Sequence, residues 1–187
     1  SEHYLLPLSH DEVVPGKKSL INRMPGEYVD QFRQLRLLYM YQYAHPGKKL
    51  TVMGNEFAQF DEWNYRKELD WFLLSYEKHR ITLDFVKALN RFYLSSPELF
   101  EQDVEFSGFK WISGEDHDQS IISFRRIAKN GSELVVVCNF TPVTREKYRI
   151  GVPEEGSYKV VFCSDWAEFG GKTEKKAKSV RSKKIAM

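Results

Sequence analysis

The sequence predicts an α/β segment followed by an all-β domain, and three observations carry that fold class. Two compact apolar runs, residues 4–8 and 50–53, alternate with two stretches whose apolar residues recur at helical spacing. After Pro97 the pattern changes to short β-like runs separated by turn signals such as Asn130-Gly131 and Glu155-Gly156. The composition supplies a core for both parts. Of 187 residues, 42% are apolar, with 13 Phe, 10 Tyr and 4 Trp, which argues against disorder.

Taken in order, residues 4–8 read as a buried strand that ends in the polar group Ser9-His10-Asp11-Glu12. Gly16, Asn22 and Pro25-Gly26 mark a long loop. Glu27 then opens a helix with apolar residues at 28, 32, 35 and 39, and His45-Pro46-Gly47 stops it. Residues 50–53 form a second short buried strand, closed by Gly54. The irregular stretch 55–80 holds seven aromatic residues, and a structured loop of that length is usually functional. Thr82 caps the next helix, whose face is residues 85, 86, 89, 92 and 93, and Ser95-Ser96-Pro97 ends it. Five β-like runs follow, at 104–112, 120–127, 134–140, 148–152 and 158–163. Such spacing suggests an antiparallel sandwich or barrel. The division is therefore 1–102, 103–171, and a basic loop or frayed tail at 172–187.

Charge and cysteine usage exclude several classes of function. Residues 172–187 hold seven Lys or Arg and one Glu, which leaves the preceding body mildly acidic. The tail has no aromatic residue to stack on bases and no binding fold ahead of it, so no nucleic-acid partner is expected. The densest apolar stretch, residues 35–44, is broken by Arg36 and Gln42 and falls short of the roughly 18 residues a spanning helix needs. No membrane association is expected. Ser1-Glu2-His3-Tyr4 has neither the basic start nor the apolar core of a secretory leader, so a cytoplasmic location is expected. Cys138 and Cys163 sit in β-like runs and read as buried free thiols. No phosphate loop, zinc-spaced cluster or thiol dyad occurs, so no cofactor or metal is expected.

Chemistry in parallel β-α units gathers at the carboxyl ends of the strands. His10 and Asp11 follow the first strand directly. A carboxylate and an imidazole side by side suit a reaction that develops positive charge on a sugar ring, the carboxylate opposing the charge and the imidazole donating to a hydroxyl. The same dipeptide also serves as a capping Asp beside a hydrogen-bonded His. Glycoside cleavage needs a second carboxylate, and Glu12, Glu56 and Asp61 are the other candidates near the strand ends. Two β-α units cannot close a barrel, which takes eight units and typically about 250 residues. The sequence has the character of the tail of something larger.

The run Leu6-Pro7-Leu8-Ser9-His10-Asp11-Glu12-Val13-Val14, followed by Gly16-Lys17-Lys18-Ser19, closely resembles a signature region of bacterial 1,4-α-glucan (glycogen) branching enzymes in the α-amylase superfamily. The likeness continues through residues 44–50, Met53-Gly54-Asn55-Glu56-Phe57, Glu62-Trp63-Asn64, Leu69-Asp70-Trp71 and Asn139-Phe140-Thr141-Pro142-Val143. It implies that residues 4–8 and 50–53 are the seventh and eighth strands of a (β/α)8 barrel. Residues after about 103 would be the carboxyl-terminal β-domain. It also implies that Asp11 is the carboxylate stabilising the transition state and that His10 contacts the glucose at the cleavage subsite. The nucleophilic Asp and acid/base Glu of such enzymes lie on earlier strands, so the chain is expected to be a carboxyl-terminal fragment that is inactive alone. Pro15 stands where these enzymes commonly have His, and Ala58 where Gly is usual. The tail after Gly171 also lacks the family's closing strands.

Among the aromatics, Trp63 and Trp111 are the candidate sugar platforms, each weighed against core packing or an ordinary sheet face. Lys17 and Glu56 are expected in an ion pair or a cap rather than in the cleft lining. The implied partner is an α-glucan, glycogen or amylose. Severed strand edges and apolar helix faces predict self-association. The rival reading is a non-catalytic carbohydrate-binding or structural β-domain module.

Overall fold

A computed structural model describes residues 3–174 and 179–183. Strand β1, Leu5–Leu8, pairs in parallel with β2, Lys48–Thr51, with Leu5 opposite Lys48 and Leu8 opposite Thr51. Parallel neighbours need a crossover, and the chain makes it through a short helix α1, Leu20–Arg23, and a long helix α2, Tyr28–Ala44. Helix α2 buries Phe32, Leu35 and Tyr39 at three- to four-residue steps, the spacing that puts them on one face, and Ala44 in its last turn. It ends where the sequence predicts, with the His45 N–H bonded to the Tyr41 carbonyl and Gly47 turning the chain at φ +108°. A side chain at Gly47 would meet Tyr4 Cβ at 2.9 Å, so only glycine lets β2 begin beside β1. Gln42 Nε2 donates to the carbonyls of Leu6 and Leu50, at 2.8 and 3.2 Å, bridging the two strands from the helix.

Both strands depart from the expected burial. Leu5, Leu50 and Met53 are exposed, because among the described residues each strand is hydrogen-bonded on one side only and the helices cover only part of the pair. The following helix, α3, spans Glu77–Ser95 and starts five residues before Thr82. Thr82 is not its cap. Buried in the second turn, it bonds Oγ1 back to the Lys78 carbonyl at 2.8 Å, the use a mid-helix threonine makes of its hydroxyl.

The core lies between α2 and α3 and takes Phe32, Leu35 and Tyr39 from one and Phe85 and Leu89 from the other. Trp166 and Phe169, far along the chain, complete it. Phe162 stacks on Phe92 with ring centres 5.0 Å apart, and Arg36 Nε donates to the Ser164 carbonyl at 2.9 Å. This packing draws the expected strand 158–163 away from the sheets after its first residues.

The carboxyl-terminal half holds a three-stranded antiparallel meander of β3, Phe109–Asp116, β4, Ile121–Ile127, and β5, Glu133–Asn139. Strand β4 is central. Its register with β5 runs unbroken from Ile121 opposite Asn139 to Ile127 opposite Glu133, whereas β3 bulges on either side of Ser113. Residues 104–108 precede the sheet as turns, and 148–152 form no strand. Lys147 enters that segment at φ +55°, Tyr148 hooks its hydroxyl to Asp116 at 2.6 Å, and Pro153 has no N–H to give a ladder. A second antiparallel pair joins β6, Ser157–Lys159, to β7, Ser179–Arg181. Residues 179–181 are therefore strand, not loop or frayed tail, and β6 supplies the partner that composition alone conceals. The rest of that expectation, at 175–178 and 184–187, lies outside the described residues.

Arg126 of β4 ties the two halves together. Its buried guanidinium donates to the carbonyls of Ala44, Leu99 and Gly108 at 2.8, 3.0 and 3.3 Å and to Asp103 at 2.7 Å.

Candidate functional site

The site begins where β1 runs out. Ser9 caps a single 3-10 turn, His10–Glu12, by accepting the Asp11 N–H on its hydroxyl at 3.3 Å. Two side chains are thereby thrown outward together. His10 Nε2 stands 3.3 Å from Asp11 Oδ1, with the imidazole 51% and the carboxylate 73% exposed. Ser9 Oγ lies 3.4 Å from Asp11 Oδ2. Otherwise the carboxylate is open to solvent.

The next residues form a tight turn. Val14 to Lys17 close a hydrogen bond of 3.0 Å, with Pro15 and Gly16 at the corner and Gly16 at φ +93°. Proline followed by a left-handed glycine is the sequence of a type II turn. Pro15 thus stiffens the loop without distorting it. Lys17 Nζ donates to the Asp11 carbonyl at 2.8 Å, a cap on the end of the 3-10 turn rather than an ion pair, and it stays beside the site.

The second loop comes from the end of β2. Gly54, at φ +94°, leads into a 3-10 turn, Asn55–Phe57, and Tyr39 of α2 holds that turn by donating to the Asn55 carbonyl at 2.6 Å. Glu56 accepts the Gly54 N–H at 2.7 Å, which makes it a cap for the turn. Ala58 follows at φ +59° and ψ +48°, the left-handed region that glycine occupies freely, so the resemblance's Gly at this place has a backbone reason. The loop then returns to β1's side. Trp63 donates its N–H to the Val13 carbonyl at 2.8 Å and sets its ring 5.0 Å from that of His10. The same indole packs partly against the core.

The other carboxylates have partners of their own. Glu12 pairs with Arg23 at 3.3 Å and Asp61 with Lys67 at 2.5 Å. Trp111 lies apart from His10 and Asp11, on the edge strand β3. It is 53% exposed, with its ring edge-on to Phe109 and Phe124. Glu62 is absent from the sequence-derived candidates, although it belongs to the Glu62-Trp63-Asn64 motif. Its Oε1 accepts the N–H groups of Gly16 and Lys18 at 2.9 and 2.6 Å.

Between the two loops runs an open groove of about 410 Å³, lined by Pro15, Lys18, Asn22, Asp61, Trp63 and Asn64 among others. A wider polar groove of about 670 Å³ lies in the β half, between Asp116 and Arg149, and neither groove is lined by His10 or Asp11. Both cysteines are free, and burial pushes the Cys138 thiol up to about 12, which leaves it no nucleophile at neutral pH. Among the described residues no His, Cys, Asp and Glu cluster could hold a metal ion, and no helix is long and apolar enough to cross a membrane.

Residues 111–186 match the family described as alpha amylase, C-terminal all-beta domain. Curated proteins named 1,4-alpha-glucan branching enzyme GlgB match much more of the chain. That of Halothermothrix orenii is 54% identical over 176 residues, 94% of this chain and 28% of the relative. That of Oceanobacillus iheyensis is 55% identical over 172 residues, 91% of this chain and 27% of the relative. That of Bacillus caldolyticus is 53% identical over 172 residues, covering 91% and 26%. The chain spans little more than a quarter of the length of these relatives. The identity therefore extends well beyond the β-domain: over nine-tenths of this chain, more than half of the aligned residues are shared with proteins named 1,4-alpha-glucan branching enzyme.

Proposed function

We propose that this chain is the carboxyl-terminal part of a glycogen branching enzyme. Such an enzyme cleaves an α-1,4 linkage and transfers the glucosyl chain to a 6-hydroxyl as an α-1,6 branch. In this reading β1 and β2 are the last two strands of a (β/α)8 barrel within residues 1–102, and residues 103–171 with β7 belong to the β-domain. Asp11 opposes the positive charge that develops on the sugar ring as the glycosidic bond breaks, and His10 donates to a hydroxyl of the same glucose. Trp63 offers a stacking face beside them, and Trp111 a separate glucan contact on the sheet edge. The partner is an α-glucan, the setting cytoplasmic, and neither nucleic acid nor membrane takes part. The chain by itself self-associates.

The observation that carries the reading is the Asp11 carboxylate. It projects from a strand end with, among the described residues, no Lys or Arg in ion-pairing range, beside an imidazole at 3.3 Å, in a chain more than half identical to branching enzymes. A charge left open in this way is available to a cationic transition state. The rival, a non-catalytic β-domain module, is disfavoured because the likeness covers over nine-tenths of the chain and not the β half alone.

The test is a chimera in which this chain replaces its counterpart in the Halothermothrix orenii enzyme, assayed for branch formation on amylose. The chimera should form branches. Asp11→Asn should lower kcat about a hundredfold or more, the loss seen on removing one electrostatic stabiliser, with KM within a few fold. The 187-residue chain alone should be inactive, since it would bring one carboxylate of three. Branching by the chain alone, or binding lost in proportion to rate in the variant, would overturn the proposal.

A further inference from the structure

We infer that Glu62 is a positioning residue for Asp11, acting through the backbone of the loop that follows it. The inference rests on the reading of Asp11 given above and deepens it. Asp11 itself is poorly restrained. Its carboxylate is 73% exposed, and among the described residues its polar side-chain partners are His10 at 3.3 Å and Ser9 at 3.4 Å. Its direction is therefore set by the backbone of residues 9–18, and that backbone needs an anchor.

Glu62 supplies the anchor from the other loop. Gly16 at φ +93° and Lys18 at φ +65° turn their N–H groups toward one point, the concave arrangement in which main-chain amides bind an anion. Glu62 Oε1 occupies that point, accepting from Gly16 at 2.9 Å and Lys18 at 2.6 Å. A left-handed lysine is an uncommon conformation for a residue with a side chain, and the carboxylate holds it there. Between the two clamped amides sits Lys17, whose ammonium reaches back to the Asp11 carbonyl at 2.8 Å. The next residue after Glu62, Trp63, bonds its N–H to the Val13 carbonyl at 2.8 Å and places its ring against His10. Asn22 Nδ2 adds a third tie, to the Phe60 carbonyl at 2.8 Å. One carboxylate thus fixes the loop that carries Lys17, and through Lys17 the backbone that aims Asp11.

The chemistry of the clamp is specific. It uses one acceptor oxygen at the reach of a side chain with two methylenes. Gln keeps that oxygen and that reach; Asp keeps the charge but is one methylene shorter; Ala has neither. Two measurements test the inference. In the 187-residue chain, Glu62→Ala should speed hydrogen exchange at the Gly16 and Lys18 amides by at least about tenfold, the protection that goes with a charge-assisted hydrogen bond. In the chimeric branching enzyme, Glu62→Ala should lower kcat by about a hundredfold, as expected when a reacting group drifts by about an ångström, while KM stays within threefold of the unmodified chimera. Glu62→Gln should restore most of kcat and Glu62→Asp should not. A residue that merely stabilised the fold would change neither kcat in the folded enzyme nor the Gln and Asp variants in that order. Should Glu62→Ala fail to fold, the Gln and Asp pair decides, and Asp outperforming Gln overturns the inference. Unchanged amide exchange, or an active chimera whose kcat ignores Glu62→Ala, overturns it while the role of Asp11 stands. A chimera that forms no branches even unmodified overturns the functional reading and the catalytic consequence with it, and the amide exchange then judges the clamp alone.

Discussion

Arg126 carries its guanidinium out of solvent, and each of its three nitrogens finds an acceptor there. The partner Asp103 is buried too and takes a second, more exposed cation, Lys48, at 3.2 Å. Removing one member of a buried pair strands the other, so Arg126→Ala should destabilise the chain by about 3–5 kcal/mol. The double variant Arg126→Met, Asp103→Leu should recover part of that loss. It should not recover all, because the carbonyls of Ala44, Leu99 and Gly108 would still lack donors. Urea denaturation followed by fluorescence measures both. His79 presents the opposite case, a titratable group held neutral. It is buried among Phe32, Phe60 and Tyr76 and bonds Nδ1 to the Phe57 carbonyl at 2.8 Å; desolvation lowers its pKa, with carbonyl bonds opposing. Below the unfolded value of about 6.5 the unfolded chain takes up this proton and the folded chain resists it. The contribution is therefore present above that pH and is lost as pH falls toward the lowered folded value. Melting temperature should drop between neutral pH and pH 5, and His79→Gln, which keeps a donor for Phe57, should flatten the drop.

At the scale of the elements, the parts that repeat regularly were legible and the parts that depend on partners were not. Helix α2 stops at Ala44 as His45-Pro46-Gly47 requires, and β4 and β5 fall within a residue of their alternating runs. Helix α3 begins earlier than its sequence announces because Lys78, His79 and Arg80 read as polar, while His79 in fact faces the aromatic core. The run 158–163 has strand composition, yet Phe162 is taken by Phe92 and Phe169 instead of by a sheet. Gln42 shows a third kind of hidden feature, a polar residue on an apolar helix face whose purpose appears only once both strands are in place. Its amide donates to β1 and β2 together while its Oε1 is buried without a partner among the described residues. Gln42→Leu removes two donations and one unpartnered acceptor, so its cost should stay near 1–2 kcal/mol. Gln42→Ala adds a cavity and should cost more. Hydrogen exchange at Leu50 and Val52 should quicken in both, and unchanged rates would show that the strands hold each other without the helix.

For the whole molecule, composition gave two halves, and the residues that join them were invisible in it. Nothing about Arg126 in an alternating strand, or about Trp166 and Phe169 after a β-like run, says that they meet the first half's helices. The site was legible in a different way. His10, Asp11 and Trp63 stood out by motif, whereas Glu62 needed two loops brought face to face before its carboxylate had a task. The same assembly leaves a surface with a consequence for the isolated chain. Strands β1 and β2 have only each other as hydrogen-bonded partners among the described residues, so each presents an outer edge. Leu5 and Leu50 lie exposed along that pair, and Met53 just beyond its end. A two-stranded sheet is marginal by itself, and an apolar strand edge pairs readily with another chain. Light scattering at micromolar concentration should therefore find the 187-residue chain self-associated. Dimers are the expected smallest species, because one pair can cover another edge to edge. Leu5→Lys with Leu50→Lys puts charge on both strands and should shift the chain toward monomer without lowering its melting temperature by much, since both positions are already in contact with water. A wild-type chain that stays monomeric would overturn the self-association, and a double variant that associates as before would move the contact away from this sheet.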